Sequence, residues 1–151
     1  MPQERFLAQS ETQVRVRYAE TDQMGVVYHA NYLVWFEIGR TTFLRELGFN
    51  YKQMEQEDGC LIAVAAASAR YRLPARYDDV LSIRTQMTAM RGPVIKFAYQ
   101  VVRLADEQLL AEGETTHVVV SSDMKKMTLP EKYAVSFREL VGKAEVDLRN
   151  V

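Results

Sequence analysis

Two short connections constrain this chain more than any other feature. Arg91-Gly92-Pro93 separates the run Val80–Ala89 from Val94–Leu104, and Ala105-Asp106-Glu107-Gln108 separates that run from Leu109–Val120. The first run sets Leu81, Ile83, Met87 and Ala89 on one face and Ser82, Arg84, Gln86 and Thr88 on the other. The second places Ile95, Phe97, Tyr99 and Val101 in alternation. A period of two marks strands with one buried face. A parallel crossover needs about a dozen residues or more, so connections this short make the three strands antiparallel neighbours. Gln13–Tyr18 alternates in the same way and predicts an earlier strand. The alanine-rich run Leu61–Ser68 favours helix by propensity, yet its neighbours and the closing Pro74 make it a strand.

The longest helix comes before these strands, and is expected from about His29 to Leu47. Leu33, Val34, Ile38, Leu44 and Leu47 fall near helical spacing, and Trp35, Phe36 and Phe43 widen the apolar surface, as in a helix covered on most sides. Tyr28 and Trp35 are expected in the core. Gly48 lies where a C′ glycine belongs. Gly39, mid-helix, costs about 1 kcal/mol against alanine and implies close contact with another backbone. A short helix is expected over Tyr51–Glu57, stopped by Asp58-Gly59, and a terminal one over Pro130–Val141. One early helix followed by antiparallel strands is an α+β fold. Residues 1–151 suffice for a single domain with a sizeable core. Residues 1–12 and 142–151 are expected to be loose tails.

A formal net charge of −1 gives no global field to draw in nucleic acid. Cys60 is the only cysteine, so no intramolecular disulfide forms; it reads as a small buried residue in a reducing compartment. The N-terminus, Met-Pro-Gln-Glu-Arg-Phe, is unlike a secretory signal, and no apolar run approaches the roughly 20 residues of a membrane span. The expected location is cytoplasmic.

The sequence has no G-x-S-x-G elbow, Walker loop, G-x-G-x-x-G or H-E-x-x-H. With two histidines and one cysteine, a Cys/His zinc site is hardly attainable. Glu20, Asp22 and His29 have few other ligands nearby, so no metal is assigned. The chemistry-bearing stretch is Tyr18–Leu47: a strand end, a tight turn carrying Asp22 with Gly25 for positive φ, and His29 opening the long helix. The first N–H groups of a helix have no intrahelical partner and favour developing negative charge. Taken alone, Asp22 also reads as an Asx-turn or cap residue, and His29 as a cap or core histidine.

The string from Arg17 to Tyr32, with Asp22-Gln23-Met24-Gly25-Val26-Val27-Tyr28-His29-Ala30-Asn31-Tyr32 at its heart, closely resembles the hotdog-fold acyl-CoA thioesterases related to 4-hydroxybenzoyl-CoA thioesterase, most of all the Tol-Pal-associated type. The likeness continues through Pro74–Leu81, Met90-Arg91-Gly92 and the strand holding Gly113 and His117. The resemblance implies a hotdog fold, a curved antiparallel sheet wrapped around one long helix, with the alanines at 63, 65, 67 and 69 lying close to Gly39. It implies hydrolysis of an acyl-CoA to free acid and CoA without metal or cofactor. Asp22 would be nucleophile or general base, and the backbone N–H of His29 the oxyanion donor, its imidazole secondary. Tyr28, Arg91 and Lys96 would contact substrate, with Lys125 and Lys126 as further candidates for the phosphates. Family members form homodimers, often paired into homotetramers, with active sites at the subunit boundary. A hotdog dehydratase using His29 and Glu37, and a non-catalytic acyl-CoA-binding module, are the rival readings.

Overall fold

The computed structural model describes residues 6–149, with side chains through Gly142. Its elements run β1 (Ser10–Arg15), a 3-10 turn (Tyr18–Glu20), α1 (Asn31–Glu46), α2 (Tyr51–Asp58), β2 (Cys60–Tyr71), β3 (Val80–Arg91), β4 (Val94–Arg103), β5 (Gln108–Ser121) and α3 (Glu131–Arg149). The five strands form one antiparallel sheet in the order β1-β3-β4-β5-β2. The predicted turns do what their length demands. Arg91 pairs with Val94 across Gly92-Pro93, where Gly92 takes φ +57°, as the first central residue of a type II′ hairpin must. The alanine run is strand, as expected, and extends to Tyr71.

The sheet curves around α1, which is the hotdog arrangement. Phe36 stacks on Tyr99 with centroids 4.6 Å apart, and Phe43 meets Phe97 edge-on at 6.2 Å. Tyr32, Trp35, Phe36, Gly39, Arg40, Phe43 and Leu44 make the buried stripe. The stripe is not the one expected from spacing, because Leu33, Val34 and Ile38 are exposed in the single chain. Gly39 is also explained differently. A Cβ there would lie 2.6 Å from Thr85 Oγ1 and 2.8 Å from Ile83 Cγ2, so the close neighbour is β3, not the alanines of β2. Gly113 on β5 plays the matching role, since a Cβ there would enter the Phe36 ring.

Several boundaries move. α1 starts at Asn31, two residues after the expected His29, and β1 begins at Ser10 and ends at Arg15, with Tyr18–Glu20 in the 3-10 turn. Residues 9–12, expected to be loose, belong to the sheet edge, with Gln9 N–H on Thr85 O at 2.8 Å. Helix α3 runs on to Arg149, past the expected end at Val141. Residues 1–5 and 150–151 of the expected tails lie outside the described residues. Cys60 is buried, as expected, and burial raises its thiol pKa.

Between helix and sheet runs a buried polar chain. Arg40 Nη1 donates to the Tyr99 hydroxyl at 3.0 Å, which shares a 2.6 Å bond with Thr115 Oγ1, itself 2.8 Å from His117 Nε2. Burial, with the Arg40 charge nearby, pushes the His117 imidazole down to about 4.

Candidate active site

Asp22 opens a tight reversal of chain. Its N–H donates to Val26 O at 2.8 Å, its C=O accepts from Gly25 N–H at 3.0 Å, and Thr21 bridges to Val27. Gly25 permits this with φ +77°, a conformation that costs glycine nothing. Carboxylate Oδ1 accepts the Met24 N–H at 2.9 Å, so Asp22 is an Asx-turn residue, one of its two readings from sequence. The second oxygen, Oδ2, has no partner among the described residues. A carboxylate whose turn occupies one oxygen is oriented, and its other oxygen is available for chemistry.

The reversal returns the chain to the start of α1. Asn31 N–H donates to Tyr28 O at 3.0 Å, Tyr32 N–H to His29 O at 3.4 Å and Leu33 N–H to Ala30 O at 3.2 Å. This tightened first turn is why the helix proper begins later than its sequence suggested. The N–H groups of His29 and Ala30 have no acceptor among the described residues. The cap is Ala30, without a side-chain bond, and the first turn holds no acidic residue. Alanine is among the poorest caps, so α1, at 16 residues shorter than the 19-residue α3 and not the longest helix as expected, presents an uncapped, positively polarised end.

Both features line one cleft of about 320 Å³, together with Val26, Val27, Tyr32, Tyr71, Leu73 and Pro74. Met24 and Arg72 complete the lining, so apolar walls at Met24, Val26, Val27, Leu73 and Pro74 meet convergent polar groups, the composition of a small-molecule site. Two bonds fix the floor: Tyr71 hydroxyl donates to His29 O at 2.9 Å, and Ala75 N–H to the Tyr32 hydroxyl at 3.3 Å. Tyr71 sits at the last position of β2, and its ring meets Tyr32 edge-on at 5.0 Å.

The expected site residues divide into two groups. Asp22 and His29 come together at the cleft, and the His29 ring is exposed, with centroids 4.5 Å from Tyr28. Tyr28, expected in the core, is 49% exposed and outside the cleft wall. Arg91 and Lys96 stand at the other end of the sheet. Arg91 closes β3, whose start at Val80 lies by the cleft, and a strand of this length spans roughly 35 Å. Lys125 and Lys126 follow β5 near that same far end, where Lys126 bridges to Val120. Glu37 is exposed on α1 and does not line the cleft, so the acid needed by a dehydratase is not in place. No group of three or more metal-ligating side chains occurs among the described residues.

Sequence reading missed two residues of consequence. Tyr71 gave no signal, since an aromatic at a strand end is ordinary. Glu20 was considered only as a metal ligand, yet it is buried to 6% exposure and accepts from the only tryptophan, Trp35 Nε1, at 3.2 Å. The one clue was its place two residues before Asp22, beside the strand end.

Known proteins resemble this chain in sequence and fold. Acyl-CoA thioester hydrolase YbgC of Escherichia coli is 38% identical over 127 residues, covering 83% of this chain and 93% of its own. A hypothetical protein of Thermus thermophilus, solved by crystallography, superposes with a TM-score of 0.82 at 36% identity, over 87% of this chain and 99% of its own. A DHNA-CoA thioesterase from Staphylococcus aureus gives 0.80 at 30% identity, over 93% of each. The family model described as "Thioesterase-like superfamily" matches residues 16–137, which takes in the Asp22 reversal, the bare helix end and the whole of β2–β5. A match over that span places every element of the cleft inside the family pattern: the chain belongs to the thioesterase-like superfamily.

Proposed function

We propose that the chain hydrolyses an acyl-CoA thioester to free carboxylic acid and CoA, with Asp22 as nucleophile or as general base on water. The observation that carries this reading is the meeting at one cleft of Asp22 and His29, whose N–H, like that of the neighbouring Ala30, has no acceptor among the described residues. A thioester carbonyl is electrophilic and its thiol, with a pKa of about 8.5, leaves with little protonation. One ionised carboxylate therefore suffices to start the reaction. The carbonyl oxygen gains negative charge as the tetrahedral species forms. The His29 N–H, at the positive end of α1, stabilises that oxygen more than the ground-state carbonyl, and this difference lowers the barrier. The apolar walls at Val26, Leu73 and Pro74 take the acyl group.

The phosphates of CoA call for basic residues; the cleft's own Arg72 is paired with Glu112 at 2.9 Å, and one chain keeps Arg91 and Lys96 far from the cleft. A second copy removes the difficulty. Edge strand β2 pairs only with β5; its Tyr71 end lies at the cleft, and its Cys60 end lies with the Arg91–Val94 hairpin, because Val94 pairs with Val118 and Val118 with Ala63. Antiparallel pairing of β2 with its copy about a two-fold axis lays the partner's Cys60 end beside this Tyr71 end. The partner's hairpin then approaches this cleft with its Arg91 and Lys96. The exposed Leu33, Val34 and Ile38 of α1 and the uncovered alanines of β2 suit the same boundary. The working unit is accordingly a homodimer, or a homotetramer built from it, of single-domain subunits acting in the cytoplasm. No helix among the described residues is long and apolar enough to cross a membrane.

A panel of acyl-CoAs, with thiol release followed spectroscopically, tests the reading. The wild-type chain turns over at least one member, and Asp22→Asn, which keeps the Oδ1 acceptor for Met24, folds normally but loses kcat by about 10²-fold or more. A folded Asp22→Asn protein with near-normal turnover would remove Asp22 from the mechanism.

A further inference from the structure

Between the two halves of the site lies a buried carboxylate to which the reaction gives no task. Glu20 is 6% exposed, and every polar group it carries is used. Oε1 accepts the Arg17 N–H at 2.8 Å, with Arg17 Nε at 3.4 Å, and Oε2 accepts Trp35 Nε1 at 3.2 Å. Its carbonyl accepts both Tyr28 N–H and Asn31 Nδ2, each at 2.9 Å. The first pair of bonds ties the base of the Asp22 reversal to α1 through Trp35, which is 1% exposed. The second pair ties the residues on either side of His29 to the same point. One residue thus sets the distance between the carboxylate and the donor turn.

We propose that Glu20 is a positioning residue of the active site, holding the Asp22 turn and the His29 donor turn in catalytic register through Trp35, Tyr28 and Asn31. The inference rests on the thioesterase reading. The choice of side chain follows from the donors: Arg17 N–H and the indole N–H can only donate, so the site needs two acceptor oxygens. Glutamine supplies one acceptor and turns an amide N–H₂ toward the other donor. Because a misplacement of about 1 Å costs on the order of 10²-fold in rate, the defect belongs in kcat.

The test uses Glu20→Gln in the full chain, assayed beside wild type. Expected is a kcat lower by about tenfold or more with KM within about threefold, the pattern of an interaction felt in the transition state. Trp35 is the only tryptophan, so its indole N–H gives a single unambiguous resonance. That resonance and the His29 amide should both move in Glu20→Gln. Trp35→Phe deletes the opposing donor, so the double variant Glu20→Gln/Trp35→Phe should recover part of the lost kcat and show non-additivity. Should Glu20→Gln fail to fold, Asn31→Ala removes one bond to the Glu20 carbonyl and leaves the carboxylate in place; its kcat should fall severalfold at unchanged KM. Unchanged kcat in folded Glu20→Gln, or lost stability with turnover intact, would overturn the proposal. So would an unmoved His29 amide, a result independent of turnover. An inactive wild-type chain would instead tell against the thioesterase reading, with the resonances still reporting on Glu20.

Discussion

The role proposed for His29 lies in its backbone N–H, and two substitutions separate that from its ring. His29→Ala keeps the N–H and should retain substantial activity. His29→Pro deletes an N–H that has no acceptor among the described residues, at a position before the Ala30 cap where no helix bond is lost, so the fold should hold. Its kcat should fall by roughly 10²- to 10³-fold, the usual cost of a lost oxyanion donor. An inactive alanine variant beside an active proline variant would move the chemistry to the imidazole. The other histidine affects stability. With His117 neutral to about 4 in the fold against an ordinary 6.5, the unfolded chain binds the extra proton between those values. Stability is therefore complete above about pH 6.5 and falls as pH drops toward 4, by about 3 kcal/mol for this one group. Chemical denaturation across that range should show the loss, and His117→Gln, which keeps an Nε2-like partner for Thr115, should flatten it.

Helix α1 shows what a sequence can and cannot convey about an element. Its existence was legible from aromatic and aliphatic density, but its buried side was not. Leu33, Val34 and Ile38 look like a core stripe, yet they face outward in one chain while Tyr32, Trp35, Phe36 and Phe43 face the sheet. Apolarity alone does not distinguish a surface covered by the same chain from one left for another. The start of α1 was misplaced because the Tyr28–Leu33 bonds tighten the first turn, and no side-chain cap announces the boundary. Asp22, Gly25 and His29 were legible because their spacing carries both turn chemistry and family likeness. Tyr71 and Glu20 were not, since their roles depend on bonds to residues 42 and 15 positions away. Gly39 was flagged correctly and given the wrong neighbour. With Thr85 Oγ1 at 2.6 Å and Ile83 Cγ2 at 2.8 Å from its absent Cβ, Gly39→Ala should lose about 1–3 kcal/mol by urea denaturation, overriding a helix-propensity gain of about 1 kcal/mol. Equal or greater stability would mean α1 can lift from β3 without cost.

At the scale of the assembly, a shared cleft predicts complementation. A mixed dimer of Asp22→Asn and Arg91→Ala chains has one site with both defects and one with neither. Refolding the two inactive or weakened proteins together should restore about a quarter of the wild-type sites, since random pairing makes about half of the dimers mixed and half of their sites intact, and light scattering should show species of at least twice 17.4 kDa. Mixtures no more active than their parts would place Arg91 outside the partner's site. The Tyr71 hydroxyl bond to His29 O acquires a wider meaning here. Tyr71 ends the strand on which subunits would meet, and it also holds the turn proposed to polarise the substrate. That bond is made within the single chain, so dissociation would leave the chain folded and take the partner's hairpin away from the cleft. Specific activity should decline on dilution while helix and sheet signals stay constant, so that the concentration of the protein itself sets how much of it is enzyme.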